Sequence, residues 1–75
     1  MDTTYGQQVA AEVRAEMGRQ RRSGADLARH LNRSHQTISR RLNGESPWDV
    51  DDLAAVAAWL GVSLDRLLVD AGTAA

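Results

Sequence analysis

SGADLARHLNRSHQTISRRL, residues 23–42, is the stretch whose reading decides the fold. Its apolar residues are few and regularly placed. Leu27, Ala28 and Leu31 fall on one face of a helix over about Gly24–Leu31. Ile38 and Leu42, four apart, give a second helix over about His35–Leu42 a single narrow buried edge. Ser23 and Ser34 stand at N-cap positions, and Asp26, three residues after Ser23, completes a capping box. Between the helices lies Asn32-Arg33. Asn tolerates the left-handed conformation that a tight turn between helices needs. Ala28 is small because the two helices cross closely there. A helix with as little apolar surface as the second is there to present its outer face.

Outward from this pair, the chain continues as helices. Upstream, Val9, Ala10, Val13 and Met17 make one apolar stripe on a helix over about Tyr5–Gln20. Thr4 and Gln7 have capping-box spacing at its start, and Gly18 with Arg19–Arg22 is expected to fray its end. Downstream, Asn43-Gly44 leads into the loop Glu45-Ser46-Pro47. Asp49 caps a fourth helix over about Val50–Leu60, Asp52 completes its box, and Trp48 and Leu53 hold hydrophobic-staple positions. Leu53, Val56, Ala57 and Leu60 face inward and Gly61 is a left-handed stop. Ser63 caps a last short helix carrying Leu64, Leu67 and Leu68, and residues 70–75 read as a loose tail. The expected fold is all-α: one compact five-helix domain over residues 1–75, with its core in residues 5–69.

Composition narrows the class. Seventy-five residues make one small domain with a thin margin of stability. The absence of cysteine excludes a disulfide scaffold and a thiolate metal site, and fits a reducing, cytoplasmic setting. No apolar run approaches a membrane span, and the first residues lack the basic and apolar segments of a signal peptide. His30 and His35 straddle a turn with no carboxylate at metal-ligand spacing, so no metal is expected. No nucleophile–base, paired-carboxylate or glycine-loop constellation is present, and neither enzyme activity nor a cofactor is expected.

The net charge of −1 conceals a strong polarity. Residues 14–44 carry eight arginines against Glu16 and Asp26, a balance of +6. Residues 45–75 carry six acids against Arg66, a balance of −5. A basic block in a near-neutral chain is the footprint of a polyanion binder. The competing reading is a solvated face paired intramolecularly with the acidic third. On the outer face of the third helix, His35, Gln36, Ser39 and Arg40, flanked by Arg33 and Arg41, can hydrogen-bond base edges.

Four motifs stand in order: Ser-Gly-Ala-Asp-Leu-Ala (23–28), Ser-His-Gln-Thr-Ile-Ser-Arg (34–40), Asn-Gly (43–44) and Leu-Gly-Val-Ser-Leu-Asp-Arg-Leu (60–67). Through them residues 7–69 resemble a phage repressor/Cro-type helix-turn-helix domain of the XRE-like class. The resemblance implies a five-helix bundle whose third helix enters the major groove of double-stranded DNA. It implies base contacts from Ser34, His35, Gln36 and Arg40, to which the outer-face position of Ser39 adds one more candidate. It implies phosphate contacts from Ser23, the Gly24 backbone, Thr37 and Asn43. Arg22, Arg33 and Arg41 are phosphate candidates by their own charge and position, and at Arg22 and Arg41 the chain departs from the apolar residues common in the family. If Arg22, Arg33 and Arg41 meet phosphates, each should lower the salt slope of binding by about 0.9 on change to Ala. The chain departs from the family at Gly24, where Gln is common, and at Met17 and Leu42, where an Arg–Glu pair is common. Met17 packing on Leu42 is the expected replacement for that pair.

Such domains act on two half-sites as dimers. The function implied is a phage-type transcriptional repressor on a palindromic operator, either complete or the DNA-binding half of a longer protein. A protein-interaction or antitoxin-like module is one alternative, and an accessory factor in phage recombination is another. Trp59, Val62, Leu64, Leu68 and Val69 offer apolar area for a weak homodimer strengthened on DNA, with Trp59, Leu64 and Leu68 as its main contacts. The alternative is that all five finish a small core and the chain stays monomeric.

Overall fold

The computed structural model describes residues 5–72, with side chains through Leu68. It contains five α-helices: α1 Tyr5–Gln20, α2 Gly24–Leu31, α3 His35–Leu42, α4 Val50–Leu60 and α5 Leu64–Gly72. The first α1 capping residue, Thr4, lies outside the described residues. α1 is the central support and packs against α3, α4 and α5, while α2 packs against α3 and α4. One core joins all five. Val9, Val13 and Met17 come from α1, Leu27 and Ala28 from α2, and Ile38 from α3. Leu53, Val56, Ala57 and Leu60 come from α4 and Leu67 from α5. Every inward stripe expected from helical spacing on α1, α2 and α4 is at least partly buried.

The connections explain how short helices close so tightly. Asn32 ends α2 with φ 56° and its N–H, with that of Arg33, bonds back to α2 carbonyls. Gly61 ends α4 in the same way at φ 73°. α1 does not fray as expected from its Arg-rich end. Arg21 takes φ 57°, the N–H of Arg21 bonds the Gly18 carbonyl at 3.2 Å, and that of Arg22 bonds the Met17 carbonyl at 2.9 Å. This double closure satisfies carbonyls that an α-helix end leaves open. It also holds a residue with a Cβ in a region that Gly occupies without steric cost. Arg21→Gly is therefore expected to raise stability by about 0.5–1 kcal/mol, read as a higher urea midpoint at unchanged slope. A lower midpoint would contradict it.

The capping boxes form only by half. Ser23, Ser34, Asp49 and Ser63 each accept the expected N–H three residues on. The acidic residues do not reach back to the cap. Asp26 accepts from Arg29 instead, and Asp52 from Arg33 and Arg41. A guanidinium within reach is a stronger partner for a carboxylate than a single amide. The loose tail expected from Asp70 is also corrected: α5 runs on to Gly72, and residues 73–75 lie outside the described residues.

Glu16 was not singled out by its sequence, yet it is buried. Its carboxylate accepts from Arg19 and Gln20, and Arg66 of α5 stands 3.6 Å away. Gln20 also donates to the Leu60 carbonyl at 2.7 Å, which joins α1 to the end of α4. Tyr5 Oη donates to the Leu68 carbonyl at 3.1 Å and ties the start of α1 to α5.

Candidate nucleic-acid interface

α3 is held by one buried side chain and one partly buried one. Ile38 is fully buried, and Leu42 is half-buried against the core edge. At 100° per residue, the direction opposite Ile38 and Leu42 is taken by Arg40 and Gln36. Both are exposed, as are Ser34, His35 and Asn43. The Ser34 hydroxyl accepts from the Thr37 N–H at 3.1 Å and donates to the Thr37 hydroxyl at 2.8 Å, which fixes the start of the helix. Arg40 makes no ion pair among the described residues.

One side of α3 faces the start of α2. His35, Ser39, Leu42 and Asn43 line a groove with Gly24 and Arg14. A Cβ on Gly24 would lie 3.3 Å from Leu42 Cδ1, tighter than ordinary contact. Leu42 thus fills the space in front of α2, which gives Gly24 a packing reason. Arg14 of α1 donates to the Leu42 carbonyl, a cation placed on the negative end of α3. Met17, by contrast, is deep in the core at 5% exposure.

The other side of α3 faces α4. Arg33, just before the α3 cap, donates from Nε and Nη2 to the two oxygens of Asp52, at 3.0 and 3.2 Å. Arg41, in the last turn, donates to Asp52 Oδ2 and lies 3.5 Å from Asp49. Its guanidinium carbon is 5.5 Å from the centre of the Trp48 ring. The Arg33 side chain stays 46% exposed, whereas that of Arg41 is only 15% exposed. Asp52 itself is 8% exposed.

A helix-turn-helix domain model matches residues 8–69. The chain belongs to the helix-turn-helix domain family. The domain is also similar in fold to the crystal structure of the clp gene regulator ClgR from Corynebacterium glutamicum. That match has a TM-score of 0.89 at 20% sequence identity, and covers 99% of this chain and 79% of the other. No curated protein sequence matches it. The helix-turn-helix pair is α2 and α3, and the five-helix architecture, with no strand among the described residues, agrees with the resemblance in the sequence. Such a domain is a DNA-binding module of transcription regulation. Among the described residues, no helix is long and apolar enough to cross a membrane.

Within this helix-turn-helix domain the cations divide into groups that the sequence could not separate. Arg33 and Arg41 are engaged by Asp52. Arg22 lies over the Trp59 ring at 4.4 Å from its centre, and His30 stacks on the same ring at 5.8 Å. The apolar residues grouped as one dimer surface also divide. Trp59 has Arg22 and His30 as ring partners. Leu64 and Leu68 line a cavity of about 260 Å3 with Tyr5, Val9, Trp48 and Val50. All of Trp59, Val62, Leu64 and Leu68 pack on the core, and the Val69 side chain lies outside those described. Val50, 75% exposed, and Tyr5, 52% exposed, form the most open part of the cavity rim.

Two buried carboxylates of the helix-turn-helix domain report two separate networks, Asp52 with Arg33 and Arg41, and Glu16 with Arg19 and Gln20. The hydrogen bond from Arg33, joined by that from Arg41, holds Asp52 below its ordinary value of 3.8 despite burial. Hydrogen bonds from Gln20 and Arg19 hold Glu16 below its ordinary 4.5. Both groups bind protons more weakly folded than unfolded. Their contribution is complete above those ordinary values and is lost as pH falls through the lower folded ones. Stability is expected to drop steeply below about pH 4.5. Glu16→Gln and Asp52→Asn should each flatten that acid limb in urea melts taken from pH 6 to pH 2. An unchanged limb in both variants would remove these two carboxylates as its cause.

Proposed function

We propose that the domain is a sequence-specific binder of double-stranded DNA that acts as a phage-type transcriptional repressor on a palindromic operator. The observation that carries this reading is the outer face of α3, where exposed Gln36 and Arg40 project opposite the buried edge. Both side chains are forked, the shape that pairs with adenine and guanine edges in a major groove. Ser34, His35 and Ser39 extend that face along one side.

The backbone grip comes from the flanks. The free N–H groups at the start of α2, beside Ser23 and Gly24, offer a phosphate site reinforced by the helix dipole. Thr37 and Asn43 belong to α3 and its C-cap, and Arg22, just before the α2 cap and steadied by Trp59, adds a cation to that end of α2. Arg33 turns Nε and Nη2 toward Asp52 and keeps Nη1 for a phosphate. Arg41 is set apart by its burial. A second chain on the adjacent half-site would approach through the rim formed by Tyr5, Val50, Leu64 and Leu68.

Selection of bound sequences from random duplex DNA tests the reading, followed by titration of the selected duplex against salt. The expected result is a two-fold symmetric consensus, binding that weakens steeply with salt, and two chains per duplex at saturation. One chain per duplex would remove the dimer and leave DNA binding standing. Absence of any salt-dependent binding would favour the protein-interaction module instead.

A further inference from the structure

The acidic residue Asp52 sits on the inner side of α4, and both of its oxygens are taken by arginines that flank α3. One precedes the α3 cap and the other closes its last turn. On α3, Arg41 lies about 100° around from the outward Arg40. Its guanidinium is turned away from the outer face, bound to Asp52, close to Asp49 and beside the Trp48 ring. A phosphate contact acts on every DNA sequence alike and adds about 0.9 to the salt slope. A cation removed from that role lowers sequence-independent binding and leaves the base-reading face unchanged.

We infer that Asp52 is a specificity-determining residue of the DNA interface: it withholds the charge of Arg41, and part of that of Arg33, from the phosphate backbone. The inference rests on the DNA-binding reading above. Asp51 offers an internal control. It is the neighbouring exposed acid on the same helix and makes no ion pair among the described residues. Asp51→Asn and Asp52→Asn change the net charge equally, but only Asp52→Asn frees arginines.

The test measures binding to a duplex of unrelated sequence across a salt series, after circular dichroism has shown each variant folded at the working temperature. Asp52→Asn is expected to bind this DNA several-fold more tightly than Asp51→Asn, with a slope steeper by about 0.9 for each arginine released. Asp49→Ser combined with Asp52→Asn, which keeps a capping hydroxyl, should strengthen it further. Arg41→Gln should leave the slope of the otherwise native domain unchanged and lower it by about 0.9 in the Asp52→Asn background. The Arg41→Gln measurement alone decides the matter if Asp52→Asn does not fold. A slope already lowered by Arg41→Gln in the native background would show Arg41 on a phosphate and overturn the inference. So would equal affinities for Asp51→Asn and Asp52→Asn. Failure of the DNA-binding reading would look different, because the native domain itself would then show no salt-dependent binding.

Discussion

Arg40→Ala is expected to weaken binding to the selected operator by about 1–3 kcal/mol, roughly 5- to 150-fold, and to relax the consensus at one position. The expectation follows from its place on α3. Arg40 is exposed, points away from Ile38 and Leu42, and has no ion-pair partner among the described residues. Its side chain is therefore available for a two-pronged contact with a guanine edge, unlike that of its neighbour Arg41. Loss of that contact falls on the correct sequence, while unrelated DNA loses only the general attraction of one charge. Affinities of native and variant domains for selected and unrelated duplexes at one salt concentration check this. Equal losses on both would place Arg40 on the backbone and shift base reading to Gln36 and His35.

Met17→Glu is expected to cost about 3–5 kcal/mol, because it leaves a carboxylate uncompensated in the core. Met17 is 5% exposed and belongs to the cluster that joins all five helices. A domain this small has a stability near the low end of about 5–15 kcal/mol, so much of the variant should be unfolded at 37 °C. Leu42→Glu should cost clearly less. Leu42 is half-buried and lines the groove that also holds Arg14 and His35, where a carboxylate meets water and a cation. Urea melts of the two variants give the comparison. A Met17→Glu urea midpoint equal to the native one would contradict the packing described for α1.

The asymmetry between Met17 and Leu42 shows what sequence pattern conveys and where it stops. Periodicity identifies both as apolar positions on facing helices, but not how deep each lies. Depth depends on what the other helices cover, and Leu42 lies at the core edge beside the start of α2, where Gly24 leaves room for it. The Arg21 closure has the same origin. An arginine-rich helix end reads as frayed, because nothing local favours a left-handed arginine. Packing of α2 against α3 and α4 demands the sharp turn and overrides that preference.

By itself the sequence determined the five helices, the N-caps of α2 to α5 and the inward stripes, including the α2–α3 pair and the polar outer face of α3. Those features depend on residues within about four positions of one another, which is the range of capping bonds and helical spacing. Only the tertiary structure decided which arginines face outward. Arg33 and Arg41 meet Asp52 across 19 and 11 residues. Asp52 looks locally like half of a capping box, and Arg40 and Arg41 look alike in a run of cations. Helix packing separates them, because rotation of α3 about Ile38 turns one guanidinium toward solvent and the other against a carboxylate of α4.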